Sequence, residues 1–144
     1  MSSPRNQIGI GIIGCGKISQ AYFEGAKTFE VLKIVACADI NEANSKAKAL
    51  ENDCEALTIA KLLAHSDIQL VINLTIPVAH ATVTRDILKA GKHAYCEKPI
   101  TVELEDAKEL LDLAKSKGLL IGCAPDTFFG AGIQPAENSS IQVR

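Results

Sequence analysis

Two kinds of apolar pattern take turns along this chain. Continuous apolar runs of strand length occupy Ile8–Ile13, Leu32–Ala38, Gln69–Leu74, His93–Cys96 and Leu119–Cys123, with a shorter one at Cys54–Leu57. Between them, apolar residues recur every three or four positions, as helices require. Ile18, Tyr22, Ala26 and Phe29 form one such stripe, and Ala79, Val83, Ile87 and Ala90 form a second. A third comprises Ala107, Leu110, Leu111 and Ala114, with Glu103, Glu105 and Asp106 at its start and Gly118 after its end. Acid at a helix N-terminus and glycine past its C-terminus suit the helix dipole and the left-handed cap. Pro77 likewise suits a first helical position and Gly91 a C-terminal cap. Strands buried on both faces read as unbroken apolar runs, so the alternation predicts an α/β fold: a doubly wound parallel sheet between two helical layers.

Composition narrows the class. The 144 residues suffice for one domain with its own core. Hydrophobic residues make up 47% and charged residues 22%, as in ordinary globular proteins. A net charge of −2 offers no electrostatic pull toward nucleic acid or an anionic membrane. Met1–Gln7 lacks the apolar core of a signal peptide, and no run nears the ~20 apolar residues of a membrane span. The expected location is the cytoplasm. The five cysteines at 15, 37, 54, 96 and 123 are odd in number and form no C-x-x-C pair, which speaks against a disulfide framework and a metal site. Cys37, Cys96 and Cys123 lie in apolar runs and read as small core hydrophobes.

The candidate chemistry sits where apolar runs end. Gly11-Ile-Ile-Gly14-Cys15-Gly16-Lys17-Ile18-Ser19 joins the first run to the first helical stripe, and Asp39 follows 23 residues after Gly16. A strand, a glycine turn, a helix and a carboxylate at about this distance form a dinucleotide-binding unit. Gly14 and Gly16 let the backbone approach a pyrophosphate, whose charge is met by free N–H groups at the helix N-terminus. Ser19 stands where a third glycine is usual, and is small enough for helix and strand to pack closely. Asp39 either accepts hydrogen bonds from both ribose hydroxyls of NAD or caps the following helix. No arginine follows it to meet the 2′-phosphate of NADP, so NAD is the expected cofactor and NADP the lesser alternative.

Two further segments complete the candidate site. Asn73-Leu-Thr75-Ile-Pro77-Val-Ala-His80 runs from strand to helix beside the glycine turn, where Thr75 and its backbone line the adenosine side. His80 reads as a local hydrogen-bonding residue rather than an acid or base. Cys96-Glu97-Lys98-Pro99 ends the fifth run. Glu97 is placed to bond the nicotinamide-side ribose and Lys98 to meet a substrate oxygen, the alternative being a solvated charge pair. Pro99 fixes that turn and is a candidate for a cis bond.

Taken with Ala90-Gly-Lys-His-Ala-Tyr-Cys-Glu-Lys-Pro99 and Gly122-Cys-Ala-Pro-Asp-Thr-Phe-Phe-Gly-Ala-Gly-Ile-Gln134, these motifs resemble the N-terminal domain of the glucose–fructose oxidoreductase/inositol dehydrogenase (Gfo/Idh/MocA) family over about residues 8–134. The resemblance implies a Rossmann-type single domain and an NAD(P)-dependent oxidoreductase acting on sugars, polyols or related hydroxy compounds. It implies that Lys98 is the catalytic lysine between nicotinamide and substrate. It also implies that Gly14, Gly16, Lys17 and Ile18 hold the pyrophosphate and Asp39 the adenosine ribose, while Thr75, Pro77, His80 and Glu97 line the rest of the cofactor path.

Family members continue into a second domain that carries most of the substrate pocket. Here Pro135 and a polar tail follow Gln134, and no histidine follows His93. The expectation is therefore a flexible 1–7, a dinucleotide-binding domain over 8–123, and a vestigial, disordered linker over 124–144. Such a chain binds cofactor and is inactive alone, taking a sugar or polyol only when a second domain is supplied. The alternative is a stand-alone nucleotide-binding module, a sensor or subunit partner. Exposed apolar residues near Phe128 and Phe129 would favour a homodimer in either case. A methyltransferase with a similar glycine turn is disfavoured by the Glu-Lys-Pro block.

Overall fold

The computed structural model describes residues 7–124. Among them, β1 (Ile8–Ile13), β2 (Leu32–Ala38), β3 (Glu55–Ala56), β4 (Leu70–Asn73), β5 (His93–Glu97) and β6 (Ile121–Ala124) form one sheet. Its order is β3-β2-β1-β4-β5-β6, with every adjacent pair parallel. The helices are α1 (Ser19–Lys27), α2 (Glu42–Asn52), α3 (Ile59–Ala64), α4 (Pro77–Lys89) and α5 (Leu104–Ser116).

Side-chain alternation on the strands sorts the core into two layers. Ile10 and Ile12 of β1 join Cys37, Phe23 of α1 and Ala49 of α2 on one face. Ile13 joins Val71, Leu62 of α3, Ile87 and Leu88 of α4, and Leu110 of α5 on the other. The result is the three-layer, doubly wound Rossmann-type sheet that the pattern predicts. The Arg85 guanidinium further ties α4 to α5, with Nε and Nη2 each 2.8 Å from a Glu109 carboxylate oxygen and Nη2 3.1 Å from Asp106. That fork match between guanidinium and carboxylate raises the Arg85 pKa and lowers that of Glu109.

The chain runs outward from β1 to β3, then crosses to the opposite side at β4. This reversal leaves a crevice between the loops that follow β1 and β4, the place where sheets of this kind take ligands.

β1 and β2 match their expected spans residue for residue, while the other strands differ by one or two residues at their ends. Phe29 falls beyond α1 and is exposed rather than on the helix's buried stripe. Two helices escape the apolar pattern altogether. α2 turns Ser45 and Ala49 inward and leaves Leu50 88% exposed, so its packing face is small rather than apolar. α3 is only six residues long, too short to show a period. The expectations of a disordered 124–144 and of a dimer face near Phe128 and Phe129 lie outside the described residues, Ala124 excepted, which closes β6. So does that of a flexible 1–7, apart from Gln7, whose side-chain amide donates to the Glu30 carbonyl at 2.9 Å. No helix among the described residues is long and apolar enough to cross a membrane.

Candidate functional site

β1 and β4 place two loops side by side at their C-terminal ends. Gly14 opens the first with φ +101°, and a Cβ there would lie 2.6 Å from both the carbonyl carbon and oxygen of Leu74. Only glycine allows both this backbone conformation and this approach. Gly16 is the converse case: a Cβ on it would meet no atom of the described residues within 4 Å. Its smallness leaves room for something outside the protein.

The amides of this turn divide into used and unused. Cys15 N–H donates to Asp39 Oδ2 at 2.7 Å, and Ser19 N–H to the Gly16 carbonyl at 3.1 Å. Ser19 Oγ donates to the same carbonyl at 2.6 Å, which buries the hydroxyl where a third glycine is usual. The amides of Gly16, Lys17 and Ile18 have no acceptor among the described residues. α1 has no side-chain cap and no acid in its first turn. The positive end of its dipole is left for an anion.

Asp39 stands at the end of β2, held at both oxygens. Oδ2 receives the Cys15 amide and Oδ1 the Asn41 amide at 2.8 Å. The helix-cap alternative falls to Asn41, whose own Oδ1 accepts from Ala43 N–H at 3.1 Å. Asp39 is thus an oriented carboxylate at a cleft of about 310 Å³ lined by Gly14, Gly16, Thr75 and otherwise mainly apolar side chains. Ile40, 95% exposed, and Ile76, 66% exposed, both line this cleft. Large apolar groups so open to water suit the faces of a flat ring.

Thr75 lines the same cleft, but its hydroxyl turns inward and donates to Asn73 Oδ1 at 2.7 Å. Buried Asn73 donates in turn to the His80 carbonyl at 3.1 Å and Thr84 Oγ1 at 3.0 Å, fixing the loop to α4. His80 is 1% exposed and lies behind the cleft wall. Its Nδ1 is 2.6 Å from the Pro99 carbonyl and its Nε2 2.9 Å from the Thr75 carbonyl. The ring of His80, expected along the cofactor path, thus lies between the carbonyls of two loops that flank the candidate site. Pro77, the first residue of α4, is exposed and outside the cleft lining.

Glu97 and Lys98 follow on the neighbouring strand end. Tyr22 Oη of α1 donates to Glu97 Oε1 at 2.7 Å, and the Lys98 amide donates to Oε2 at 2.9 Å. The bond between Lys98 and Pro99 is cis. Lys98 is exposed and its ammonium has no partner among the described residues. Glu97 binds Tyr22 and the Lys98 amide rather than the Lys98 ammonium.

Sequence reasoning missed Tyr22, Ile40 and Ile76. Tyr22 read only as a helical stripe residue. Ile40 and Ile76 carried one signal, an apolar residue in a loop immediately after a strand-end polar group. Beneath the turn, the Cys15 thiol donates to the Ala38 carbonyl at 3.6 Å and the Cys37 thiol to the Ser45 carbonyl at 3.4 Å; the influence of each thiol on the other lowers the Cys15 pKa and pushes that of Cys37 up to about 12.

Comparison with known proteins agrees with this geometry. The family model described as an oxidoreductase family with an NAD-binding Rossmann fold (GFO_IDH_MocA) matches residues 8–124. An uncharacterized oxidoreductase of Schizosaccharomyces pombe is 46% identical over 78 residues, covering 54% of this chain and 21% of that protein. Inositol 2-dehydrogenase of Gluconacetobacter diazotrophicus is 31% identical over 115 residues, covering 77% of this chain and 34% of the enzyme. The crystal structure of biliverdin reductase from Synechocystis, in complex with biliverdin and NADP+, superposes with a TM-score of 0.87 at 25% identity, over 94% of this chain and 43% of that one. The chain therefore spans about a third or less of the length of these curated relatives.

Proposed function

The chain belongs to the Gfo/Idh/MocA oxidoreductase family through its NAD-binding Rossmann domain, and from that premise we propose that it holds NAD for hydride exchange with a sugar, polyol or related hydroxy compound. The observation that carries this reading is the group of unused amides at Gly16, Lys17 and Ile18 beside an Asp39 carboxylate already oriented toward an apolar cleft. The amides would hold the pyrophosphate, Asp39 would hold the adenosine ribose, and Ile40 and Ile76 would offer apolar contact to the adenine. Asp39 favours NAD because its charge repels a 2′-phosphate. Lys46 lines a hollow with Asp39, and its ammonium is engaged by Glu42 at 2.9 Å.

When bound, the nicotinamide ring gives or takes the hydride. Lys98 is the proposed catalytic residue. Its ammonium, which has no partner among the described residues, would stabilise the alkoxide that develops as a hydroxyl is oxidised. Glu97, braced by Tyr22 and the Lys98 amide, would hold the nicotinamide-side ribose. His80 keeps the Thr75 and Pro99 loops in register so that the two ends of the cofactor are held at a fixed spacing. A hydride-transfer site excludes water and gives the departing proton an acceptor. Lys98 is exposed, so that enclosure has to come from atoms beyond the described residues. Turnover by residues 7–124 alone is not expected.

Calorimetric titration with NAD, NADP and S-adenosylmethionine tests this reading. NAD should bind at least tenfold more tightly than NADP, and S-adenosylmethionine should not bind. Asp39→Asn should weaken NAD by about 10- to 150-fold, as for loss of charged hydrogen bonds of about 1.5–3 kcal/mol, and narrow the difference between the two dinucleotides. Absence of binding by either dinucleotide would overturn the proposal.

A further inference from the structure

Asp39 and Glu97 occupy matching places in the sheet. In the order β3-β2-β1-β4-β5-β6 the switch point lies between β1 and β4, and the two carboxylates stand at the ends of the next strands outward. Asp39 follows β2 directly and Glu97 ends β5. Each is held at both oxygens. Asp39 takes the amides of Cys15 and Asn41, while Glu97 takes the Lys98 amide at Oε2 and the Tyr22 hydroxyl at Oε1. Three of these four donors are backbone groups, fixed by the fold itself. The fourth is a side chain that arrives from 75 residues away. β2 and β5 lie three strand spacings apart, about 14 Å, so no single ribose reaches both carboxylates. A molecule with two riboses can.

We propose that Tyr22 is a positioning residue for the second ribose of a dinucleotide: acting through Glu97, it governs affinity for ligands that carry that ribose and leaves untouched those that end at the pyrophosphate. This rests on the cofactor reading above. An ionised carboxylate offers about four acceptor positions, two on each oxygen. Tyr22 fills one on Oε1 and the Lys98 amide fills one on Oε2. One position remains on each oxygen, which suits the paired hydroxyls of a ribose.

The placement of Tyr22 gives the bond its reach. It lies one turn into α1, the helix whose leading amides stand open to an anion. Its ring is partly buried against the core layer of Ile10, Ile12 and Phe23, so the hydroxyl is presented from a packed side chain. One helix thus meets the pyrophosphate at its N-terminus and steadies the Glu97 carboxylate a turn later, which ties the two contacts to each other. Without the hydroxyl, Glu97 keeps only the Lys98 amide. Its carboxylate is then free to turn toward the exposed Lys98 ammonium next in the chain. That turn takes an acceptor from the ribose.

Three ligands separate the two halves of the site: ADP ends at the pyrophosphate, ADP-ribose adds the second ribose, and NAD adds nicotinamide to that. Each is titrated by calorimetry into the full chain, Tyr22→Phe, Glu97→Ala and the double variant, with folding checked by circular dichroism. Tyr22→Phe should weaken ADP-ribose and NAD alike by about two- to tenfold, the worth of one ordinary hydrogen bond, and leave ADP unchanged. Glu97→Ala should weaken the same two ligands by about tenfold or more. Adding Tyr22→Phe to it should cost nothing further, because the hydroxyl acts only through that carboxylate. A second readout needs no ligand. The chain has no tryptophan and two tyrosines, so in Tyr95→Phe all emission comes from Tyr22, and a phenol bonded to a carboxylate is quenched. Glu97→Ala in that background should brighten it. The proposal is overturned if Tyr22→Phe weakens ADP as much as NAD, the mark of a general disturbance of α1. It is equally overturned if that variant binds ADP-ribose or NAD undiminished, or if Tyr22 emission ignores Glu97. If the unsubstituted chain binds none of the three ligands, the cofactor reading fails and the proposal with it, whereas the emission still reports whether Tyr22 and Glu97 are bonded.

Discussion

The two edges of the sheet make opposite use of their polar groups. The larger hollow, about 620 Å³, lies at the N-terminal edge, lined by Gln7, Gly9, Lys33, Asp53, Glu55, His65, Asp67 and Gln69 among others. The cleft at the C-terminal edge is half that size. At the N-terminal edge the polar groups bond one another. Gly9 N–H donates to Gln69 Oε1 at 2.6 Å, Asp67 N–H to His65 Nδ1 at 3.2 Å, and Lys92 Nζ to the His65 and Ile68 carbonyls at 2.7 and 2.6 Å. At the C-terminal edge three consecutive amides point at nothing within the described residues, beside a carboxylate anchored from behind. Volume alone would select the N-terminal edge. Unspent hydrogen-bonding capacity at a topological switch point selects the other.

Gly14→Ala offers the largest test of that contrast. A non-glycine residue at φ +101° costs about 1–3 kcal/mol, and the added methyl meets the Leu74 backbone. Chemical denaturation should show a loss of about 2–4 kcal/mol, and calorimetry a hundredfold or greater loss of NAD affinity. A variant with unaltered NAD binding would remove the β1 turn from the site.

Alkaline pH should separate the edges by sign. Cys37 and Cys96 lie at the C-terminal ends of β2 and β5, with thiol pKa values raised from the ordinary 9.0 to about 12. Loss of solvation on burial is the chief cause at Cys96, and the influence of the Cys15 thiol at Cys37. The folded chain keeps these protons where the unfolded chain releases them. Their stabilisation is complete below pH 9 and lost as pH rises toward about 12, each group adding a slope of up to about 1.4 kcal/mol per pH unit. Lys92 works the other way, since burial lowers its pKa. The folded chain releases that proton first, so this contribution rises with pH. Urea midpoints should fall overall between pH 9 and 11, less steeply in Cys96→Ala and more steeply in Lys92→Met. An unchanged slope in Cys96→Ala would remove the buried thiol as a cause.

The smallest expected effect comes from Lys92→Met at pH 7. The substitution strips two carbonyls of their donor but also removes a buried charge, so stability should fall by only about 1–2 kcal/mol. NAD affinity should not change at all. A tenfold weakening would mean that the two edges are coupled and that the contrast drawn between them is too sharp.

Much of this was legible in the residues. Gly14, Gly16 and Asp39 announce themselves by type and spacing, because a tight turn, an open approach and a fixed charge each demand a particular side chain. β1 and β2 are equally plain, since a strand buried on both faces has to be apolar throughout. α2 is hidden for the converse reason. Its inward face packs by being small, with Ser45 and Ala49 against the sheet, and no periodicity records smallness.

The sequence by itself therefore determined the layered α/β architecture, the glycine turn and the carboxylate that serves it, since those follow from local sterics and from period. Only the tertiary structure decided that His80 lies between the Thr75 and Pro99 carbonyls, that Tyr22 reaches Glu97 from 75 residues away, and that Cys15, Cys37 and Cys54 share one core layer. Such pairings arise where parallel crossovers return distant segments to neighbouring strand ends. That proximity is a property of the packed sheet, and no local stretch of chain encodes it.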